Sequence, residues 1–118
     1  MGLQVELTIM SGVEDGLHLD FSADSGDGQL DGERWTLNIG RREDSDVCLR
    51  HDMFVSRLHA RLHLNSDGWQ LEDCTSTNGT YIEVRGSEER ITGTIPIRVG
   101  ELFRIGRTWM QIEPEGEP

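Results

Sequence analysis

LHARLHLNSDGWQLED, residues 58–73, decides the fold class. Leu58, Ala60, Leu62 and Leu64 alternate with His59, Arg61 and His63, the two-residue period of a strand with one face turned to a core. NSDG at 65–68 then closes a hairpin, since Asp-Gly between alternating runs is a strong turn signal. Trp69, Leu71 and Asp73 begin the return strand.

The same period recurs on both sides. Upstream, Trp35, Leu37 and Ile39 alternate with Thr36 and Asn38 and stop at Gly40. A charged loop, 41–46, a short apolar run, Val47 to Leu49, and a second loop, Arg50 to Ser56, follow. Nearer the N-terminus, Val5, Leu7 and Ile9 and then Leu17, Leu19 and Phe21 flank a turn at Glu14 to Gly16. SADSGDGQLDGE, 22–33, is rich in Gly, Asp and Ser and reads as a solvated acidic loop. Downstream, STNG makes a turn before Tyr81, Ile82 and Val84, and RGSEER, 85–90, reads as a polar turn. Ile95, Ile97 and Val99 share one parity, Gly100-Glu101 turns, and Leu102, Phe103, Ile105, Trp109, Met110 and Ile112 complete the strands, leaving 113–118 as a frayed tail. Nowhere do apolar residues recur at helical spacing over three turns. Ten or so short strands in a single domain, 1–118, mean an all-β sandwich or barrel, and pattern alone leaves both open.

Charge narrows the function classes. The formal net charge is -11, and it is unevenly spread: residues 1–39 carry eight acids and one Arg, net -7, whereas 40–63 carry five Arg and four acids, net +1. Such a chain repels nucleic acid and anionic membranes as a whole, because nonspecific binding to polyanions needs many cationic contacts. A single phosphate is different. All eleven basic residues are Arg, whose guanidinium fork suits bidentate phosphate recognition.

Cys48 and Cys74 form no CxxC and lie in or beside strands, which reads as two buried, reduced thiols and a cytoplasmic chain. No apolar run nears the ~20 residues of a membrane span, and the N-terminus lacks signal-peptide character. Asp24, Asp27 and Asp31 do not have the spacing of an EF-hand loop, so neither a metal nor a cofactor is expected.

Three short pieces place small polar or cationic residues where apolar runs meet turns: LNIGR at 37–41, VSRLHA at 55–60 and STNGTY at 76–81. With a late VGELFRIG, their order and spacing resemble the forkhead-associated (FHA) domain family over roughly residues 35–112. The resemblance implies an antiparallel β-sandwich of about eleven strands that binds phosphothreonine peptides through loops at one end, downstream of a Ser/Thr protein kinase. It is the resemblance that puts loops 41–46 and 50–56 at one rim; strands counted strictly up and down would put them at opposite ends.

The resemblance also implies residue roles. Arg41 and Ser56 match phosphate ligands, Thr77 a phosphate contact, Arg57 a contact to peptide backbone or phosphate, and Asn78 a hydrogen bond to the peptide main chain. Gly40, His59, Ser76 and Gly79 match supporting positions, His59 bracing the loops. Asn78-Gly79 has a plain reading as well, being the best two-residue hairpin turn. The Arg85-Gly86 turn and the long 24–33 loop depart from the family pattern. Met53 and Phe54 hint at an apolar preference after the phosphothreonine.

Two other readings are open. One is a phospho-independent interaction module using a sandwich face. The other is a hydrolase with Ser56 or Ser76, His59 and Asp73 as a triad, although no nucleophile-elbow motif surrounds either serine.

Overall fold

The alternating runs become strands of two separate sheets, which decides for a sandwich over a barrel. The structure, a computed structural model, describes residues 3–12 and 15–114. Its strands are β1 (Gln4–Ser11), β2 (His18–Ser22), β3 (Gln29–Asp31), β4 (Arg34–Gly40), β5 (Val47–Cys48), β6 (Ala60–Asn65), β7 (Gly68–Asp73), β8 (Thr80–Val84), β9 (Ser87–Arg90), β10 (Thr94–Pro96), β11 (Leu102–Ile105) and β12 (Thr108–Ile112). One sheet has the order β2-β1-β12-β11-β8-β9 and the other β10-β7-β6-β4-β3, with β5 beside β4. Among the described residues there is no α-helix, only a 3-10 turn at Ala23–Ser25. Of the expected turn at Glu14 and the expected tail at 113–118, residues 13–14 and 115–118 lie outside the described residues.

The core follows from the pairing register. Leu37, Leu62 and Leu71 stand in one cross-strand row of the second sheet, and Ile9, Met110 and Phe103 in one row of the first, and all six are fully buried. Truncating any of the three leucines to Ala would cost about 2–5 kcal/mol, from lost transfer energy and the cavity left behind. Trp35 is buried beside Trp69, ring centroids 6.3 Å apart, and its indole N–H donates to the Asp27 carbonyl at 2.8 Å.

That last bond corrects the reading of 22–33 as a solvated loop. The segment is mostly exposed, yet β3 pairs with β4, and a Cβ on Gly28 would lie 2.6 Å from the Thr36 carbonyl. β3 is thus a strand within the segment read as a loop. RGSEER is likewise a turn only at Arg85-Gly86. Ser87–Arg90 is β9, an edge strand exposed at every position and therefore without the alternation that marks a strand in sequence.

Two connections decide where the loops fall. β5 pairs with β4 in parallel, Val47 opposite Ile39 and Cys48 opposite Gly40. The chain leaves β4, loops back, and advances only two residues along the end of the strand it has just left. Loops 41–46 and 49–59 therefore share a rim, where an up-and-down count would separate them. The STNG segment, in turn, is not a hairpin. β7 and β8 belong to different sheets, so 74–79 crosses between them, and of Asn78 and Gly79 only Gly79 has positive φ (89°).

A polar side chain is buried outside the core, and one expectation about burial changes. His63 faces away from the core as its parity requires, but it is buried between Thr36 and Glu72, its ring nitrogens 2.8 and 2.9 Å from their oxygens. Cys48 and Cys74 are unpaired thiols but only half-buried.

Candidate functional site

Antiparallel pairing sends the end of β4, the start of β6 and the end of β7 to one rim of the second sheet. Across the sandwich, Ile105 at the end of β11 pairs with Thr80 at the start of β8, so the 74–79 crossover and the 106–107 turn join the same rim. Eight of the nine expected site residues lie on these loops, and the ninth, Gly40, is the last residue of β4.

Arg41 is the first residue past β4. Its backbone N–H donates to the Ser56 carbonyl at 3.1 Å and its side-chain Nε to the Val55 carbonyl at 3.0 Å. The guanidinium is thus oriented by its inner nitrogen, and its two terminal nitrogens have no hydrogen-bond partner among the described residues. Such tethering removes rotamer freedom before any ligand arrives. Gly40 makes the approach possible: a Cβ there would collide with the Arg57 carbonyl, so no side chain fits between the two loops.

Ser56 Oγ accepts the Thr77 N–H at 3.1 Å, which leaves the hydroxyl proton free to be donated outward. Asn78 Nδ2 donates to the Phe54 carbonyl at 2.9 Å, which leaves its Oδ1 as an unused acceptor. Thr77 and Asn78 are exposed, Arg41 and Ser56 half-buried. Arg57 is exposed too, and its side chain has neither hydrogen bond nor ion pair among the described residues, so the surface ion pair that many neighbouring acids could have offered is not made.

Beneath them lies a bracing layer. His59, with no exposed surface, accepts the Ser56 N–H on Nδ1 at 3.0 Å and lies 2.9 Å from the Gly79 carbonyl through Nε2. Since Nδ1 accepts, the ring proton is on Nε2 and is donated to Gly79. Burial holds the His59 pKa below its ordinary value, against opposing pulls from the Gly79 hydrogen bond and the charges of Asp73 and Asp52. Gly79 itself is tightly enclosed: a Cβ would come within 2.8 Å of Arg90 Nε and 3.0 Å of the Tyr81 ring.

Asp73 does work that the sequence reading did not assign to it. Its Oδ1 accepts from the hydroxyls of Ser76 (2.6 Å) and Thr80 (2.7 Å), and Ser76 Oγ in turn accepts the Gly79 N–H at 3.0 Å. One carboxylate therefore shapes the crossover. The sequence signal was a short acid with Ser three residues on, the local side-chain-to-backbone pattern that makes Asp and Ser turn formers. These bonds also dispose of the triad. The Ser56 hydroxyl does not meet His59, which takes the backbone N–H instead, and Asp73 is committed to Ser76 and Thr80.

The arrangement is a shallow rim holding a guanidinium with free terminal nitrogens, a free hydroxyl proton and a free amide acceptor. It is set on GR, SRxH and STNG motifs in that order. Residues 37–106 match the sequence profile of the FHA domain. The chain belongs to the FHA domain family. Among similar proteins, an FHA domain-containing protein of Mycobacterium tuberculosis, FhaB, is 37% identical over 93 residues, which is 75% of this chain and 57% of FhaB. The chain thus spans little more than half the length of that relative. Among solved structures, the FHA domain of CT664 from Chlamydia trachomatis superposes with a TM-score of 0.73 at 20% identity, covering 97% of this chain and all of that one. Mycobacterium tuberculosis EmbR, solved in complex with a low affinity phosphopeptide, gives 0.70 at 22% identity over 93% of this chain and 24% of EmbR. At those identities the two structures speak for the fold. Here it is an FHA sandwich with its three motif loops at one end.

Proposed function

We propose that this FHA domain is a phosphothreonine reader: it binds partner proteins at a threonine phosphorylated by a Ser/Thr kinase and catalyses nothing itself. The observation that carries the reading is the presence on one rim of an Arg41 guanidinium, tethered by Nε with neither terminal nitrogen hydrogen-bonded among the described residues, and a Ser56 hydroxyl that accepts the Thr77 N–H and keeps its own proton to donate.

A phosphothreonine brings a charge of about -1.5 to -2 and three acceptor oxygens. Arg41 supplies a bidentate fork, Ser56 and Thr77 supply hydroxyl donors, and Arg57 adds a second cation to phosphate or peptide backbone. Asn78 Oδ1 accepts a main-chain N–H of the peptide. Each charge-assisted bond contributes about 1.5 to 3 kcal/mol net, so a few of them reach the roughly 8 kcal/mol of a micromolar, reversible complex. Threonine preference over serine would rest on burial of one methyl group, worth at most about 1 to 3 kcal/mol. The acidic body disfavours nucleic acid and anionic membranes, consistent with a cytoplasmic protein partner. No helix of the described residues is long and apolar enough to cross a membrane.

The test is titration of a phosphothreonine peptide library against the wild type and Arg41→Ala. Binding should be confined to the wild type and vanish with the unphosphorylated peptides. Equal binding by both proteins removes the pocket, and capture of an unphosphorylated partner that survives Arg41→Ala supports a phospho-independent interaction module instead.

A further inference from the structure

We infer that Asp52 is a positioning residue: its buried carboxylate pins the 50–56 loop to the turn between β11 and β12, so that the Val55 and Phe54 carbonyls aim Arg41 and Asn78. Its consequence for binding rests on the phosphothreonine reading above.

Asp52 sits in a charged surface loop yet is only 3% exposed. A carboxylate so placed is tolerated only when well supplied with donors. It has three: Phe54 N–H to Oδ1 at 3.0 Å, and Arg107 N–H at 2.8 Å and the Thr108 hydroxyl at 2.7 Å, both to Oδ2. Two of the three come from the opposite sheet, more than fifty residues away in sequence. The turn reaches the carboxylate because residue 106 is glycine. Its φ is +60°, and a Cβ would fall 2.6 Å from Val55 Cγ2 and 3.0 Å from both Asp52 oxygens. Arg107 adds a second clasp, its guanidinium 4.1 Å from the centroid of the Phe54 ring.

The loop cannot drift once these contacts are made. The Asp52 carbonyl accepts the Val55 N–H at 3.1 Å, closing a tight turn over 52–55. The last two carbonyls of that turn are the acceptors for the site side chains: Phe54 receives Asn78 Nδ2 at 2.9 Å and Val55 receives Arg41 Nε at 3.0 Å. Asp52 therefore bonds neither Arg41 nor Asn78 yet fixes the acceptor that orients each. A carboxylate that served stability alone would leave the Arg41 tether untouched when weakened.

The measurement that separates these roles is the Arg41 Nε–H resonance of the free 15N-labelled protein, assigned with Arg41→Lys. It is followed in Asp52→Asn and in Thr108→Val, which keeps the carboxylate and its two backbone donors should the first variant fail to fold. In both variants the resonance should shift or broaden. Phosphothreonine-peptide affinity, measured well below each melting temperature, should fall about tenfold in Asp52→Asn and less in Thr108→Val, as expected for losing or weakening one charge-assisted bond. Variants that melt lower but keep the wild-type Arg41 resonance and affinity overturn the positioning role. A wild type that binds no phosphothreonine peptide overturns the functional reading instead, and the ligand-free resonance still decides the role of Asp52.

Discussion

At His59 the hydrogen bonds choose the tautomer, and the tautomer sets a pH dependence. Nδ1 accepts from Ser56 N–H, so protonation there would oppose two N–H groups and break one of the two bonds that tie the Ser56 loop to the Gly79 crossover. Burial holds the folded-state pKa below the unfolded value of 6.5. Above that value both states leave the ring neutral, and its full contribution to stability is present. As pH falls below it the unfolded chain takes up the proton first, so stability declines until the folded-state pKa is also passed. Urea unfolding between pH 7.5 and 5 should therefore show the wild type losing more stability than His59→Gln, whose side chain does not titrate. Parallel curves for the two proteins would mean that His59 is not held neutral. At neutral pH the same variant should weaken phosphopeptide binding, since Ser56 and Gly79 would no longer share one rigid brace.

Elements were legible in proportion to how local their causes are. β4, β6 and β7 announce themselves because Leu37, Leu62 and Leu71 repeat with period two around polar neighbours. β9 does not, because Ser87–Arg90 is exposed on both faces, nor does β3, whose anchor is the Trp35 indole bond to a carbonyl eight residues before it. The parallel step of β5, which gathers the loops at one rim, leaves no trace in hydropathy. The site residues could be placed through motif order, while Asp52 could not, since its partners Arg107 and Thr108 are close only in the folded chain. One misread element carries a prediction of its own. Arg85 and Gly86 have φ of 54° and 82°, the left-handed pair of a type I′ turn, and Arg85 adopts it against the preference of a long side chain. Arg85→Asn should stabilise the domain by up to about 1 kcal/mol, seen as a higher urea midpoint at unchanged slope. The turn follows β8 away from the rim, so phosphopeptide affinity should stay the same. A lower midpoint would show that the Arg85 side chain contributes contacts outweighing the strain.

Over the whole molecule, charge divides the sandwich by its ends. The motif rim carries Arg41, Arg57 and Arg107, while a cavity of about 840 Å³ at the other end is lined by Glu6, Asp20, Asp24, Asp27 and Glu113 with no cation. That hollow is thus the wrong sign for a phosphate, in keeping with the proposal that the anion binds at the motif rim. With a net charge of -11, the body also repels any acidic stretch that flanks a phosphothreonine, whereas basic flanks are drawn to it from beyond the contact surface. Such long-range effects operate within a Debye length, about 10 Å at 0.1 M salt, and act mainly on the association rate. Two peptides with the same phosphothreonine, one with basic and one with acidic flanks, should therefore respond oppositely to salt. Stopped-flow association of the basic-flanked peptide should slow as salt is raised from about 20 to about 300 mM, which shortens the Debye length from roughly 20 Å to about 6 Å. That of the acidic-flanked peptide should quicken, as the repulsion from the body is screened faster than the direct contact of phosphate with Arg41 is weakened. If both slow in parallel, the rim dominates the field at encounter and the acidic body plays no part in choosing partners.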